Sequence, residues 1–154
     1  MSKNRLFLVI CVLNLFWILC FDICHSVSAQ DIKQPNVAGA FYPDKSEELS
    51  QMIDAFLNAA NPQSPAGEIF ALVCPHAGYG FSGQVAAFGY KLIKDKPYKT
   101  VIVIGPSHQF SFSGVSVYPK GAFRTPLGDL EIDEQFAARL LEKTKEVYFE
   151  PRAF

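Results

Sequence analysis

Two unbroken apolar runs, residues 69–74 (IFALVC) and 101–104 (VIVI), flank a stretch with helical spacing, and that order admits few folds. Neither run alternates polar with apolar residues. Each therefore reads as a strand covered on both faces, the habit of parallel sheets. Strand, helix and strand make a βαβ unit, whose crossover is right-handed in nearly all known cases. Each run opens into a loop carrying a histidine: Pro75-His76-Ala77-Gly78-Tyr79 after the first, Gly105-Pro106-Ser107-His108 after the second. The topology brings both loops to one edge of the sheet, where open α/β folds place their ligands.

The flanking segments agree with an α/β fold: a mostly parallel sheet with helices packed against it. Leu49, Met52, Ile53, Phe56, Leu57 and Ala60 recur at helical spacing, behind a capping-box pair at Asp44 and Glu47. The Pro- and Gly-bearing stretch 61–67 ends that helix. In the next one, Ser82 is a candidate cap, and Val85, Ala86, Gly89, Leu92 and Ile93 are candidates for the inward side. A third strand is expected at 115–118, turn chemistry at 124–130 and a strand start at 147–150. The last helix should begin near Asp133 and bury Phe136, Ala137, Leu140 and Leu141.

The N-terminus is not expected to belong to this fold. Lys3 and Arg5 precede an apolar stretch over 6–21, and Val27-Ser28-Ala29 supplies the small residues a signal peptidase needs. Residues 1–29 thus read as a signal peptide, with 30–154 as one domain exported to the periplasm or secreted. The apolar stretch is shorter than the ~20 residues of a spanning helix, so no stable membrane span is expected after cleavage. Cleavage removes two of the 14 basic and one of the 15 acidic residues, leaving a net charge of −2. A near-neutral surface offers no footprint for nucleic acid. It also leaves Cys74 as the only cysteine, which excludes an intrachain disulfide framework.

His76 and His108 are then the only histidines. Two imidazoles at adjacent strand ends supply part of a mononuclear metal site, which normally takes at least three protein ligands. Spacing alone equally allows two histidines bonded to backbone carbonyls. Other chemistries have less support. The sequence contains no Gly-Xaa-Ser-Xaa-Gly elbow, P-loop or dinucleotide fingerprint. Ser82 and Ser107 lie near the histidines without an orienting carboxylate. Cys74 and His76 make a poor nucleophile pair, with Pro75 between them and Cys74 expected to be buried.

Four ordered motifs extend this reading. Gly39-Ala40-Phe41-Tyr42-Pro43, the two histidine loops and Arg124-Thr125-Pro126-Leu127-Gly128-Asp129 stand in the order and spacing of the Memo family. That family includes the AmmeMemoRadiSam system protein B of bacteria. The resemblance runs from about Val37 to the end of the sequence. It implies a fold like the class III extradiol dioxygenases, which use non-haem Fe(II), and makes His76 and His108 metal ligands for Fe(II) or Cu. It also implies that the third ligand, a cysteine, lies outside this chain, which then corresponds to the N-terminal part of a single, truncated domain. Such a piece is expected to expose apolar surface and a sheet edge, and to aggregate. Phe41 stands where relatives often carry Trp. Radical-SAM and AMMECR-type partners, which the bacterial name suggests, are cytosolic, and the export signal argues against them.

The resemblance implies a metal-dependent oxidoreductase of dioxygenase type acting on an unknown small molecule. An alternative is a non-catalytic module that recognises phosphorylated or anionic peptides, with Tyr42, Tyr79, Ser107 and Arg124 on the cleft rim. A secreted metal-handling protein is a further alternative.

Overall fold

Residues 31–154 are described in a computed structural model. The signal peptide expected at 1–29 lies outside the described residues. The elements run β1 (Ile32–Lys33), α1 (Ser46–Ala59), α2 (Tyr79–Ile93), β2 (Val115–Ser116), β3 (Ala122–Thr125), β4 (Gly128–Glu131), α3 (Glu134–Lys143) and β5 (Val147–Tyr148), and a 3₁₀ turn over Pro151–Ala153 follows. The class is α/β. No helix among the described residues is long and apolar enough to cross a membrane.

The first amphipathic face packs as its spacing requires. Leu49 is 3% exposed, Ala60 is buried, and Met52, Ile53, Phe56 and Leu57 are half-buried along the same side of α1. Helix α2 closes on that side through Gly83. A Cβ there would stand 2.5 Å from the Phe56 ring, so only glycine lets the helices approach this closely. Lys91 on α2 then donates to the carbonyl of Ala60 at 2.7 Å, satisfying an acceptor at the C-terminus of α1.

Three local expectations are corrected. Lys45, not Asp44, is the N-cap of α1 and makes no side-chain cap bond. Glu47 and Glu48 in the first turn complement the helix dipole instead. Helix α2 starts three residues before Ser82, at a Gly78 N-cap, so Ser82 sits inside the first turn and donates to the Ala77 carbonyl at 3.0 Å. Val85 is exposed because α2 turns Ser82 and Ala87 inward instead. Helix α3 follows its expectation closely: the Asp133 carboxylate accepts from the Phe136 N–H at 2.9 Å, and Ala137 is buried.

The sheets are small; β2 and β5 fall within the strands expected at 115–118 and 147–150, and the expected turn at 124–130 is the hairpin of β3 and β4. Strand β1 pairs in parallel with β3, β3 pairs antiparallel with β4 across the turn at Pro126 and Leu127, and β2 pairs in parallel with β5. Gly128 takes φ 133° to close the hairpin. Tyr118, Phe123, Phe149 and Phe154 form an aromatic cluster, with Tyr118 at 5.0–5.5 Å from the other three rings.

The two apolar runs join no ladder. Residues 69–74 and 101–104 lie outside every strand, although α2 forms between them as the βαβ reading requires. A run without alternation needs neighbours along both edges and cover on both faces. Among the described residues nothing supplies either to 101–104. The first run has only partial cover: Gly89 of α2 approaches Leu72 and Cys74 so closely that a Cβ would meet the Cys74 sulfur at 3.0 Å. Cys74 is accordingly half-buried.

Candidate functional site

The two histidines meet even though their strands form no ladder. His76 Nε2 lies 3.3 Å from His108 Nε2, across 32 residues of sequence, with ring centroids 5.4 Å apart and planes tilted by 35°. Both side chains are exposed. With one proton on Nε2, one ring donates to the other. With both protons on Nδ1, both Nε2 atoms keep a free lone pair.

Each histidine is held by a different anchor. The first loop turns into α2 at Gly78, where the backbone passes close to residue 41; a Cβ on Gly78 would come within 3.4 Å of the Phe41 carbonyl. That carbonyl accepts from the Tyr79 N–H at 2.8 Å, and the Tyr79 ring packs against Tyr42 with centroids 5.4 Å apart and planes tilted by 48°. The Gly39–Pro43 motif and the first histidine loop are thus one assembly. Burial pushes the Tyr79 hydroxyl above its usual pKa, and the nearby Tyr42 and Tyr90 add to the rise.

The second loop is held from the far end of the chain. The Ser107 hydroxyl accepts from the Phe110 N–H at 3.4 Å, closing the turn that carries His108. The Arg152 guanidinium sits 3.8 Å above the Phe110 ring. It is fixed there by a fork onto Glu150, with nitrogen–oxygen distances of 2.8 and 2.9 Å. That hydrogen bonding, with the Arg152 N–H, lowers the Glu150 pKa to about 2. Sequence reading missed Phe110 and Arg152. Only the unusual density of phenylalanine after His108 could have pointed to the first, and no local pattern points to the second.

The four residues expected on the rim separate into different surroundings. Tyr42 and Tyr79 line a cleft of about 340 Å³, with Phe41, Asp44, Glu48 and Met52 among the other walls. Neither histidine lines it, nor do Ser107 and Arg124. Arg124 lies directly across the hairpin from Asp129, and its fork closes on that carboxylate at 2.8 Å through both nitrogens. This pairing lowers the Asp129 pKa and raises that of Arg124. Among the described residues no third His, Cys, Asp or Glu joins His76 and His108 in a metal-holding group.

Comparison with known proteins gives a consistent result. A family model described as Memo-like protein matches residues 33–153. A MEMO1 family protein of Sulfurisphaera tokodaii is 38% identical over 133 residues, a match covering 79% of this chain and 46% of the relative. One from Methanobrevibacter smithii is 42% identical over 120 residues, covering 71% and 43%. One from Pyrococcus furiosus is 41% identical over 112 residues, covering 72% and 38%. The chain spans less than half the length of these curated relatives.

Proposed function

The chain belongs to the Memo family, and from that premise we propose that His76 and His108 hold a redox-active metal ion, Fe(II) or Cu, in an oxidoreductase-type site. The supporting observation is the 3.3 Å between the two Nε2 atoms. Two imidazole nitrogens bound at about 2.0–2.1 Å to a tetrahedral ion stand about 3.3–3.4 Å apart, so the spacing of the two nitrogens suits a shared ion. Imidazole also suits both metals. Bound there, such an ion would supply one-electron chemistry toward dioxygen or an organic substrate, as the likeness to class III extradiol dioxygenases suggests.

The protein's own residues set the frame. Two histidines leave coordination positions open for a further ligand and for substrate. Phe110 and Ser107 hold the His108 loop, and Tyr79 holds the His76 loop against Phe41. The Tyr79 hydroxyl stays protonated at neutral pH, so it can donate a hydrogen bond but carries no charge. Arg124, a rim residue in the anionic-peptide reading, is paired with the Asp129 carboxylate through two of its nitrogens.

The test is anaerobic titration of the full chain with Fe(II) or Cu(I), followed by His76→Ala and His108→Ala. One equivalent should bind, and either substitution should weaken binding by at least about 100-fold, since losing a group that merely supports a ligand already costs 10–100-fold. Unchanged binding in both variants would overturn the proposal. Metal-dependent oxygen consumption would mark an enzyme. Tight binding without turnover would mark a metal-handling protein.

A further inference from the structure

The cleft between the Gly39–Pro43 motif, α1 and the start of α2 takes no part in the histidine pairing, and its walls carry a different chemistry. At about 340 Å³ it stands at the lower end of the roughly 300–1,000 Å³ typical of small-molecule sites. Phe41, Tyr42 and Tyr79 contribute aromatic rings to the wall, and Met52 contributes a polarisable thioether. The charged residues of the wall are Asp44 and Glu48; it contains no Lys, Arg or His. Lys45 stands outside the wall, with its ammonium group donating to Glu48 Oε1 at 2.7 Å. The Asp44 carboxylate accepts no hydrogen bond among the described residues.

We propose that this cleft binds a small organic ammonium ion methylated at its nitrogen. The combination of walls selects that class. An anion meets two carboxylates and no cation. A bare Ca²⁺ or Mg²⁺ ion wants about six or more oxygen ligands, and the aromatic half of the wall gives it none. An uncharged apolar molecule gains from the rings and from Met52 but leaves the carboxylates without a partner. A methylated ammonium ion uses both halves: its positive charge is attracted to the faces of aromatic rings and to the carboxylates, and its methyl groups pack on apolar side chains. The N-terminus of α1 brings a partial positive charge to the same place, and Glu47 and Glu48 in its first turn offset it. The cleft volume limits the occupant to a small molecule. Neither histidine lines the cleft, so the site is independent of metal binding.

Titration of the full chain with choline tests it, followed through the amide signals of residues 39–44, 79 and 80. Binding should saturate. Dimethylbutanol, the uncharged carbon isostere of choline, should bind at least about 10-fold more weakly, because it loses both the carboxylates and the attraction to the rings. That comparison needs no variant, so it stands whatever a substitution does to folding. Asp44→Asn keeps the shape of the side chain and removes one charge, and should weaken choline by about 5-fold. Tyr79→Leu keeps the backbone donor to Phe41 and removes the ring, and should weaken choline more than it weakens the isostere. Added salt should weaken choline alone. Three results would overturn the inference. One is no saturable shift at these residues. Another is equal binding of choline and its isostere, which makes the cleft merely apolar. The last is choline binding unaltered in both Asp44→Asn and Tyr79→Leu, which places the ion elsewhere. The titration contains no metal, so its failure is read separately from failure of the histidine site.

Discussion

Helices α1 and α2 meet through Gly83 and Phe56 and bury Leu49 and Ala87, whereas the apolar runs flanking α2 present Val73, Val103 and Ile104 almost wholly to solvent. Both regions are rich in aliphatic residues. They differ in where their partners lie. A helix satisfies its own backbone and needs one neighbour for one stripe, and α2 supplies that neighbour to α1. A central strand satisfies nothing by itself. It needs two neighbouring strands and two covering layers, all distant in sequence. Hydrophobicity therefore indicates how much surface a segment must bury, and topology decides whether the cover is at hand.

The sharpest way to break this comparison is a pair of truncations. Leu49→Ala should destabilise the chain by about 3 kcal/mol, the usual range for a buried leucine. Ile104→Ala should change the stability of the chain alone by less than about 0.5 kcal/mol, as at an ordinary surface site. Equal effects in denaturant titration would mean that 101–104 is covered in solution. A smaller effect comes from Gly83→Val, which drives a branched side chain into the Phe56 ring. Overpacking of that kind costs about 1–3 kcal/mol. A neutral result would show that the helix pair is looser than its geometry implies.

The same contrast explains what was legible in the sequence. The inward face of α1, the Asp133 cap of α3 and the hairpin turn around Pro126 and Gly128 follow from patterns a few residues long. The pairing of His76 with His108 was also legible, because a βαβ crossover places both loops at one edge. The absence of a ladder at 69–74 and 101–104 was not, since composition specifies a strand's need for neighbours and not their presence. The surroundings of the expected rim residues were not legible for a related reason. Arg124 finds its carboxylate five residues away on the opposite hairpin strand, a pairing set by register and invisible to motif spacing. Arg152 reaches Phe110 only through the tertiary fold.

That last contact gives a prediction of intermediate size. Arg152→Ala removes the cation above Phe110 and should let the His108 loop drift, weakening metal binding by about 10-fold, as loss of a supporting group does. Arg152→Lys keeps the charge but not the planar fork onto Glu150, so it should rescue affinity only in part. Full rescue by lysine would reduce the role of Arg152 to charge alone. Unaltered affinity in the alanine variant would show that the loop holds itself.

The smallest expected effect lies where the two regions touch. Asp133 caps α3 through the Phe136 N–H, and its other oxygen accepts from the Thr100 hydroxyl at 2.6 Å, tethering the chain just before the bare run 101–104. The Thr100 hydrogen bond, and after it the Phe136 N–H, lower the Asp133 pKa from its ordinary 3.8. A depressed carboxylate pKa contributes stability that is fully present above the unfolded value and is lost as pH falls through the folded one. Protection of the Phe136 and Ala137 amides, corrected for intrinsic exchange, should therefore decline below about pH 4. Asp133→Asn retains an oxygen for the cap but cannot titrate, so its protection should stay flat over the same range. If both proteins lose protection with the same slope, the acid sensitivity originates elsewhere, and Thr100 is no tether between the finished and the uncovered parts of the molecule.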